Sequence, residues 1–275
     1  MLEPGLLKSV LLSLGLLALP GLAAAAGKCE RLVATGNPDY PPYLWRDPQH
    51  PQQLIGANAD LLQHLAKELG LVVDIAYSGP WAQAQDEVRT GRIDLLAGTP
   101  LTAPSLEVMD YVHPALYVSP SVVWVRRGAE FPYSGWQDLP GHKGETLLNS
   151  SFGAPFDVYA KSNLSLEGNS SLTQALQKLL LGQTDYVLHE RYSGQALADT
   201  LAMQDDLIAL EPPISSDALH LTLSHNSACN DPWLRGSLAK KMLEAVAAGV
   251  PETLLQRNLQ RWKEQQLTPV GDVKQ

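Results

Sequence analysis

Flat rings and small hydroxyls, rather than a nucleophile or a metal cluster, are the residues of this chain best suited to chemistry. Tyr40, Tyr43 and Trp45 sit in a loop with Pro38, Pro41 and Pro42. The prolines stiffen the backbone, and the rings offer large faces with few torsions to freeze, which suits holding a small ligand at low entropic cost. Such rings also cover sheet edges, the ordinary role for any one of them alone. Trp81, after a strand ending at Tyr77, has two equally good roles: packing on the sheet or stacking on a ligand. The segment Ala97-Gly98-Thr99-Pro100-Leu101-Thr102 follows a buried strand and offers carbonyls and hydroxyls to an ammonium group. Glu190 closes the strand Tyr186-Val187-Leu188; without further context a glutamate there is a solvated charge.

Hydrolytic and metal chemistry finds little support. The sequence contains no His-Glu-x-x-His, no P-loop and no Gly-x-Ser-x-Gly. His220, His225 and Cys229 come nearest to a metal cluster, and a structural role for Cys229 outweighs it. No metal and no cofactor is expected.

The elements that must position these residues follow from periodicity. Leu32 to Thr35 reads as a strand, and a helix from Asp60 to Gly70 carries an apolar face of Leu61, Leu62, Leu65, Ala66 and Leu69. Asp60 is the expected cap and Gly70 the left-handed stop. A strand from Leu71 to Tyr77, a helix opening at Pro80-Trp81 and ending at Gly91, and a strand from Ile93 to Ala97 continue the alternation. That order predicts a largely parallel sheet with helices on its faces. The grammar then restarts. Val122 to Val125 is an apolar strand, Leu147-Leu148 a short one, and Ser171 caps a helix that Gly182 stops. The Gly91-Arg92-Ile93-Asp94-Leu95-Leu96 stretch is echoed by Gly182-Gln183-Thr184-Asp185-Tyr186-Val187. Two such units predict two sheets, with Ala218 to Leu223 returning to the first. Helices from Pro232 to Ala248 and Pro251 to Glu264 finish the chain. Crossings at Val122 and Leu221 make a two-strand hinge.

A chain of 275 residues with 45% apolar content can bury a sizeable core. Its net charge of -9 and lack of a basic cluster argue against nucleic acid as a partner. Val10 to Ala26 is apolar but broken by Gly15, Pro20 and Gly21, the pattern of a secretory leader rather than a membrane span. Cleavage is expected after Ala26, into an oxidising compartment where Cys29 and Cys229 pair as one disulfide rather than remain free thiols. Lys28, directly before Cys29, argues against lipidation.

Tyr40-Pro41-Pro42-Tyr43, then Leu54-Ile55-Gly56, Asp60-Leu61-Leu62 and Lys67-Glu68-Leu69-Gly70 resemble the N-terminal signature of periplasmic solute-binding proteins of polar amino-acid ABC transporters. The likeness runs along most of the mature chain. It implies an α/β fold of the type II periplasmic-binding kind: two lobes, each a mostly parallel sheet flanked by helices. The first lobe would be 27–121 with 219–265, the second 122–218, the leader 1–26 and a disordered tail 266–275. It implies a monomer that binds a small molecule and delivers it to an inner-membrane ABC permease from the periplasm.

The same resemblance assigns residues. Gly98, Thr99 and Thr102 match the family's ligand segment, and three residues beyond the threonine the family carries an arginine that forks onto the ligand carboxylate. This chain has Ser105 there, and a serine cannot supply that charged fork. Either another cation (Arg46, Arg126, Arg127, Lys161 or Arg191) replaces it, or the ligand lacks an α-carboxylate. Glu190 matches the acid that holds the ligand ammonium. Ser150, Ser151, Phe152 and Gly153 match a loop that donates backbone amides to an anion. The expected ligand is a small polar, amine-bearing metabolite, an amino acid or a relative of one, clamped by Tyr43, Trp81 and Glu190. Two other classes fit the resemblance: a periplasmic prephenate or cyclohexadienyl dehydratase-like enzyme with Glu190 as general acid, and a sensing module reporting to a membrane receptor.

Overall fold

A computed structural model of the chain describes residues 29–267. The expected leader and residues 268–275 of the expected tail lie outside them. The chain opens with β1 (Arg31–Thr35), followed by three short strands, β2 (Asp39–Tyr40), β3 (Leu44–Arg46) and β4 (Leu54–Ile55), paired as a small antiparallel sheet. Helix α1 (Ala57–Glu68) follows. It starts three residues before the expected Asp60, because Gly56 is its N-cap at φ 134°. A Cβ at Gly56 would stand 2.5 Å from the Tyr43 carbonyl oxygen, so only glycine lets the chain turn there. Asp60 instead accepts hydrogen bonds from Arg257 and Asn258, each at 2.7 Å. Gly70 takes φ 70° beyond the helix, as expected.

The first half continues with β5 (Val72–Ile75), α2 (Trp81–Arg89), β6 (Leu95–Pro100), the single turn α3 (Ala103–Leu106) and β7 (Met109–Tyr111). Strands β5 and β6 pair in parallel on either side of β1. A long strand, β8 (Tyr117–Arg126), leads into the second half. There β9 (Lys143–Leu147), α4 (Ala154–Asn163), β10 (Ser165–Asn169), α5 (Leu172–Leu180), β11 (Tyr186–Glu190) and α6 (Arg191–Thr200) repeat the alternation. Helices α4 and α6 had no signal in the sequence reading. The 18-residue β12 (Leu207–Ser224) returns, and α7 (Pro232–Ala247) and α8 (Val250–Leu267) complete the described chain. Gln266 and Leu267, expected in the tail, are helical.

The expectation of two separate sheets is corrected. One ladder of nine strands runs β10-β9-β11-β8-β12-β6-β1-β5, with β7 on β12. The ladder is continuous because β8 and β12 pair antiparallel through both halves. Register slips between Leu210 and Ser215, where Pro212 and Pro213 have no N–H to give the ladder. The cores remain separate. In the second half Val123 and Val125 face Phe156, Tyr186 and Leu188, while Val122 and Trp124 face Leu176, Leu179 and Val187. That division is the two-residue alternation of a strand buried on both faces. In the first half Leu61, Leu65, Leu95, Leu221 and Leu238 form the main core, and Leu96 packs with Val88 and Ile93 on the opposite face.

Cys29 and Cys229 are joined as expected, across a separation of 200 residues. Helix α8 also joins the halves. Its Arg257 and Asn258 hold α1, while the Trp262 indole donates to the Ala196 carbonyl at 3.1 Å and the Thr200 hydroxyl at 3.0 Å on α6.

Candidate functional site

The loops at the carboxyl ends of β1, β6, β9 and β11 converge on one cavity of about 540 Å³. Ligands of open α/β sheets bind at such strand ends, and the volume suits a small metabolite. The first half contributes Asn37 from the β1–β2 loop, Asp39 and Tyr40 from β2, Pro41 just after it, Trp81 from the start of α2, and Gly98 and Pro100 from β6. The connecting strands add Ser119, Ser121, Asp217 and Leu219. From the second half come Leu147, Ser150, Ser151, Phe152, Leu172, His189, Glu190, Ser193 and Leu197, and Trp262 of α8 closes the wall.

Of the residues singled out in the sequence, the structure brings Tyr40, Trp81, Gly98, Ser150, Ser151, Phe152 and Glu190 together. Trp81 packs beside Val88 and Ile93 and also lines the cavity. Gly98 takes φ 87°, and a side chain there would collide with the Asn58 amide, which donates to the Ala97 carbonyl at 3.1 Å.

Five expected positions lie elsewhere. Tyr43 is wholly buried, wedged among Tyr40, Tyr117 and Tyr192 with ring centroids 4.8, 5.5 and 6.3 Å away. It underlies the cavity wall and presents no face for stacking. Trp45 is buried against Trp262, its indole donating to Gln265 at 3.0 Å. Thr99 is buried within β6. Thr102 caps α3, and its hydroxyl pairs with that of Ser105 at 2.6 Å, so these two satisfy each other outside the lining.

Glu190 also has a second occupation. Its carboxylate accepts the amides of Tyr192 at 3.0 Å and Ser193 at 2.6 Å, capping α6, and the Tyr43 hydroxyl at 3.1 Å. Burial, with the Glu190 charge adding to it, raises the pKa of the Tyr43 phenol far above its usual value and keeps it a donor. Tyr40 is raised for the same reasons, and its hydroxyl lies 3.3 Å from that of Ser119. At the opposite helix start, Asp157 accepts the Ser151 hydroxyl at 2.5 Å and the Phe152 amide at 2.9 Å. His189 lies beside Glu190, hydrogen-bonded to Ser193 at 3.1 Å, and burial pushes its pKa down to about 4. It is neutral near pH 7.

The lining holds three carboxylates, Asp39, Glu190 and Asp217, and no lysine or arginine. None of the five cations considered as substitutes for the missing arginine reaches it. Arg46 lies over the Tyr77 ring and donates to the Pro51 carbonyl, Arg127 donates to the Asp205 carbonyl, and Arg191 pairs with Glu211. Arg126 and Lys161 are outside the lining. Among the described residues no cluster of histidine, cysteine, aspartate and glutamate could hold a metal ion.

Over residues 32–261 the sequence matches the bacterial extracellular solute-binding proteins, family 3. The chain belongs to that family. No curated protein sequence matches it. Among solved structures it is similar to an ancestral cationic amino acid solute-binding protein, with 19% identity, coverage of 84% of this chain and 96% of that one, and a TM-score of 0.66. The second substrate-binding domain of GlnP from Lactococcus lactis, in an open conformation, is 17% identical over 86% of this chain and 97% of that one, with a TM-score of 0.68. A histidine kinase sensor domain is 20% identical over 82% and 95%, with a TM-score of 0.59. These likenesses establish the type II periplasmic-binding fold of this family 3 protein.

Sequence reasoning missed Asp39, Ser119, Ser121, His189, Asp217 and Trp262. Asp39 and His189 adjoin residues that were singled out, so adjacency was an available signal. Asp217 and Trp262 had none, because the path of β12 and α8 alone brings them to the cavity.

Proposed function

We propose that this family 3 protein is a non-enzymatic receptor for a small polar, amine-bearing solute, which it carries in the periplasm to an ABC permease. The observation that carries the reading is the cavity at the strand ends, with the rings of Tyr40 and Trp81 beside three carboxylates and no lysine or arginine. Rings and carboxylates together hold a cation through its charge and its apolar stem. The lobes, taken as 27–121 with 219–265 and as 122–218, would close on the solute about β8 and β12, and ligand would favour the closed form by its greater contact there. Glu190 serves chiefly to build the wall, since capping and Tyr43 occupy its oxygens, while still adding negative charge.

A thermal-shift survey of amino acids, polyamines and other amines tests this. A cognate solute raises Tm by mass action, by an amount that grows with the logarithm of its concentration above Kd. Failure of every small solute to do so would remove the binding role.

Sensing is a second reading, favoured by the fold shared with a histidine kinase sensor domain. Capture of an integral membrane receptor, rather than a permease, by the ligand-loaded protein would decide for it.

A further inference from the structure

The geometry points to a solute that is a cation without a carboxylate, a decarboxylated amine rather than an amino acid; this rests on the cavity being the solute site. Helix α6 begins at the cavity wall, and helix starts are where incoming anions find free N–H groups. In this chain that start is already filled from within: Glu190 takes the Tyr192 and Ser193 amides at 3.0 and 2.6 Å. A ligand carboxylate arriving there would meet a resident carboxylate in place of a donor.

No cation compensates. The cavity lining has no lysine or arginine, and Ser105, at the position of the resemblance's arginine, is tied to Thr102. Its one imidazole, His189, is held by Ser193. A ligand carboxylate would therefore lose its hydration without a charged partner, which is costly.

The opposite charge is well provided for. Asp39, from the first half, and Asp217, on the returning strand β12, are exposed at the wall, and among the described residues neither carboxylate has a hydrogen-bond or ion-pair partner. Trp81 and Tyr40 add π faces to the same wall. A short amine with two cationic groups fits carboxylates placed on separate elements with rings beside its methylene stem.

Calorimetry on the purified protein with matched probes tests this: L-lysine against cadaverine, L-ornithine against putrescine and L-arginine against agmatine, with L-glutamine and L-glutamate as neutral and anionic controls. Each pair differs only by the carboxylate. At least one amine is expected to bind tenfold or more tighter than its parent amino acid, and Asp217→Asn and Asp39→Asn each to weaken that amine about tenfold with an unchanged circular dichroism spectrum. A parent amino acid binding as tightly as its amine, or binding by a control alone, would overturn the inference while leaving solute capture intact. Unaltered amine affinity in both variants would likewise overturn it. Silence across all probes and controls would remove the solute site and this inference together.

Discussion

The Tyr43 hydroxyl donates to the Glu190 carboxylate at 3.1 Å, across 147 residues of sequence and from one half of the molecule to the other. Both residues had the marks of direct ligand contacts. Tyr43 is instead a buried strut, and Glu190 holds the first turn of α6 with the same carboxylate that meets the cavity. The wall of the site and the junction of the halves are thus one hydrogen-bonded unit, so substitutions here act on stability as well as on binding.

That coupling is measurable. Tyr43→Phe and Glu190→Ala, combined in a double-mutant cycle by urea denaturation, should show a coupling of about 1.5 kcal/mol, the worth of a hydrogen bond to a charged group. A coupling near zero would mean that the bond contributes nothing to holding the halves together.

Gly56→Ala should be among the most damaging small substitutions. The added Cβ meets the Tyr43 carbonyl oxygen at 2.5 Å in backbone at φ 134°, which L residues rarely adopt. A loss of about 2 to 3 kcal/mol is expected from strain at the α1 cap. Thermal unfolding within a degree of wild type would contradict it.

Acid should weaken the fold through His189. Burial lowers its folded pKa to about 4, from 6.5, so the unfolded chain binds the extra proton more readily between these values. Its contribution is complete above about pH 6.5 and is lost progressively as pH falls towards 4. At about 1.4 kcal/mol per unit the loss approaches 3 kcal/mol. In His189→Gln the slope of stability against pH should flatten across that window, as urea midpoints at a series of pH values would reveal.

Trp81→Ala should reduce affinity for the bound amine by about 1 kcal/mol, the worth of a partly desolvated ring against a cation. Because Trp81 also packs beside Val88 and Ile93, Tm should fall as well. Trp81→Phe separates the two effects: calorimetry should show most of the affinity retained if a ring face is what the solute uses.

The Cys29–Cys229 bridge closes a span of 200 residues. In the chain-entropy picture its removal costs up to about 5 kcal/mol. Paired Cys29→Ser and Cys229→Ser changes should lower the urea midpoint markedly, and leave the solute affinity of the remaining folded protein within about twofold because neither residue lines the cavity.

Local chemistry explains what was legible beforehand. Apolar periodicity, the stops at Gly70, Gly91 and Gly182 and the repeated Asp94 and Asp185 turns are short-range signals, and they marked two α/β units and the places where the chain crosses between them, while the cysteine count marked the disulfide. The exchange of the expected arginine for Ser105 left two possibilities open, a substitute cation or a ligand without an α-carboxylate, and only the lining of the cavity bears on the choice. Which ring faces solvent, and which carboxylate is already spent, depends on neighbours far away in sequence. Tyr43 is buried by Tyr117 and Tyr192, Glu190 is engaged by Tyr43, and Asp217 and Trp262 reach the cavity only through the path of β12 and α8. Periodicity reports the local face a residue takes; only the packed chain decides what stands opposite that face.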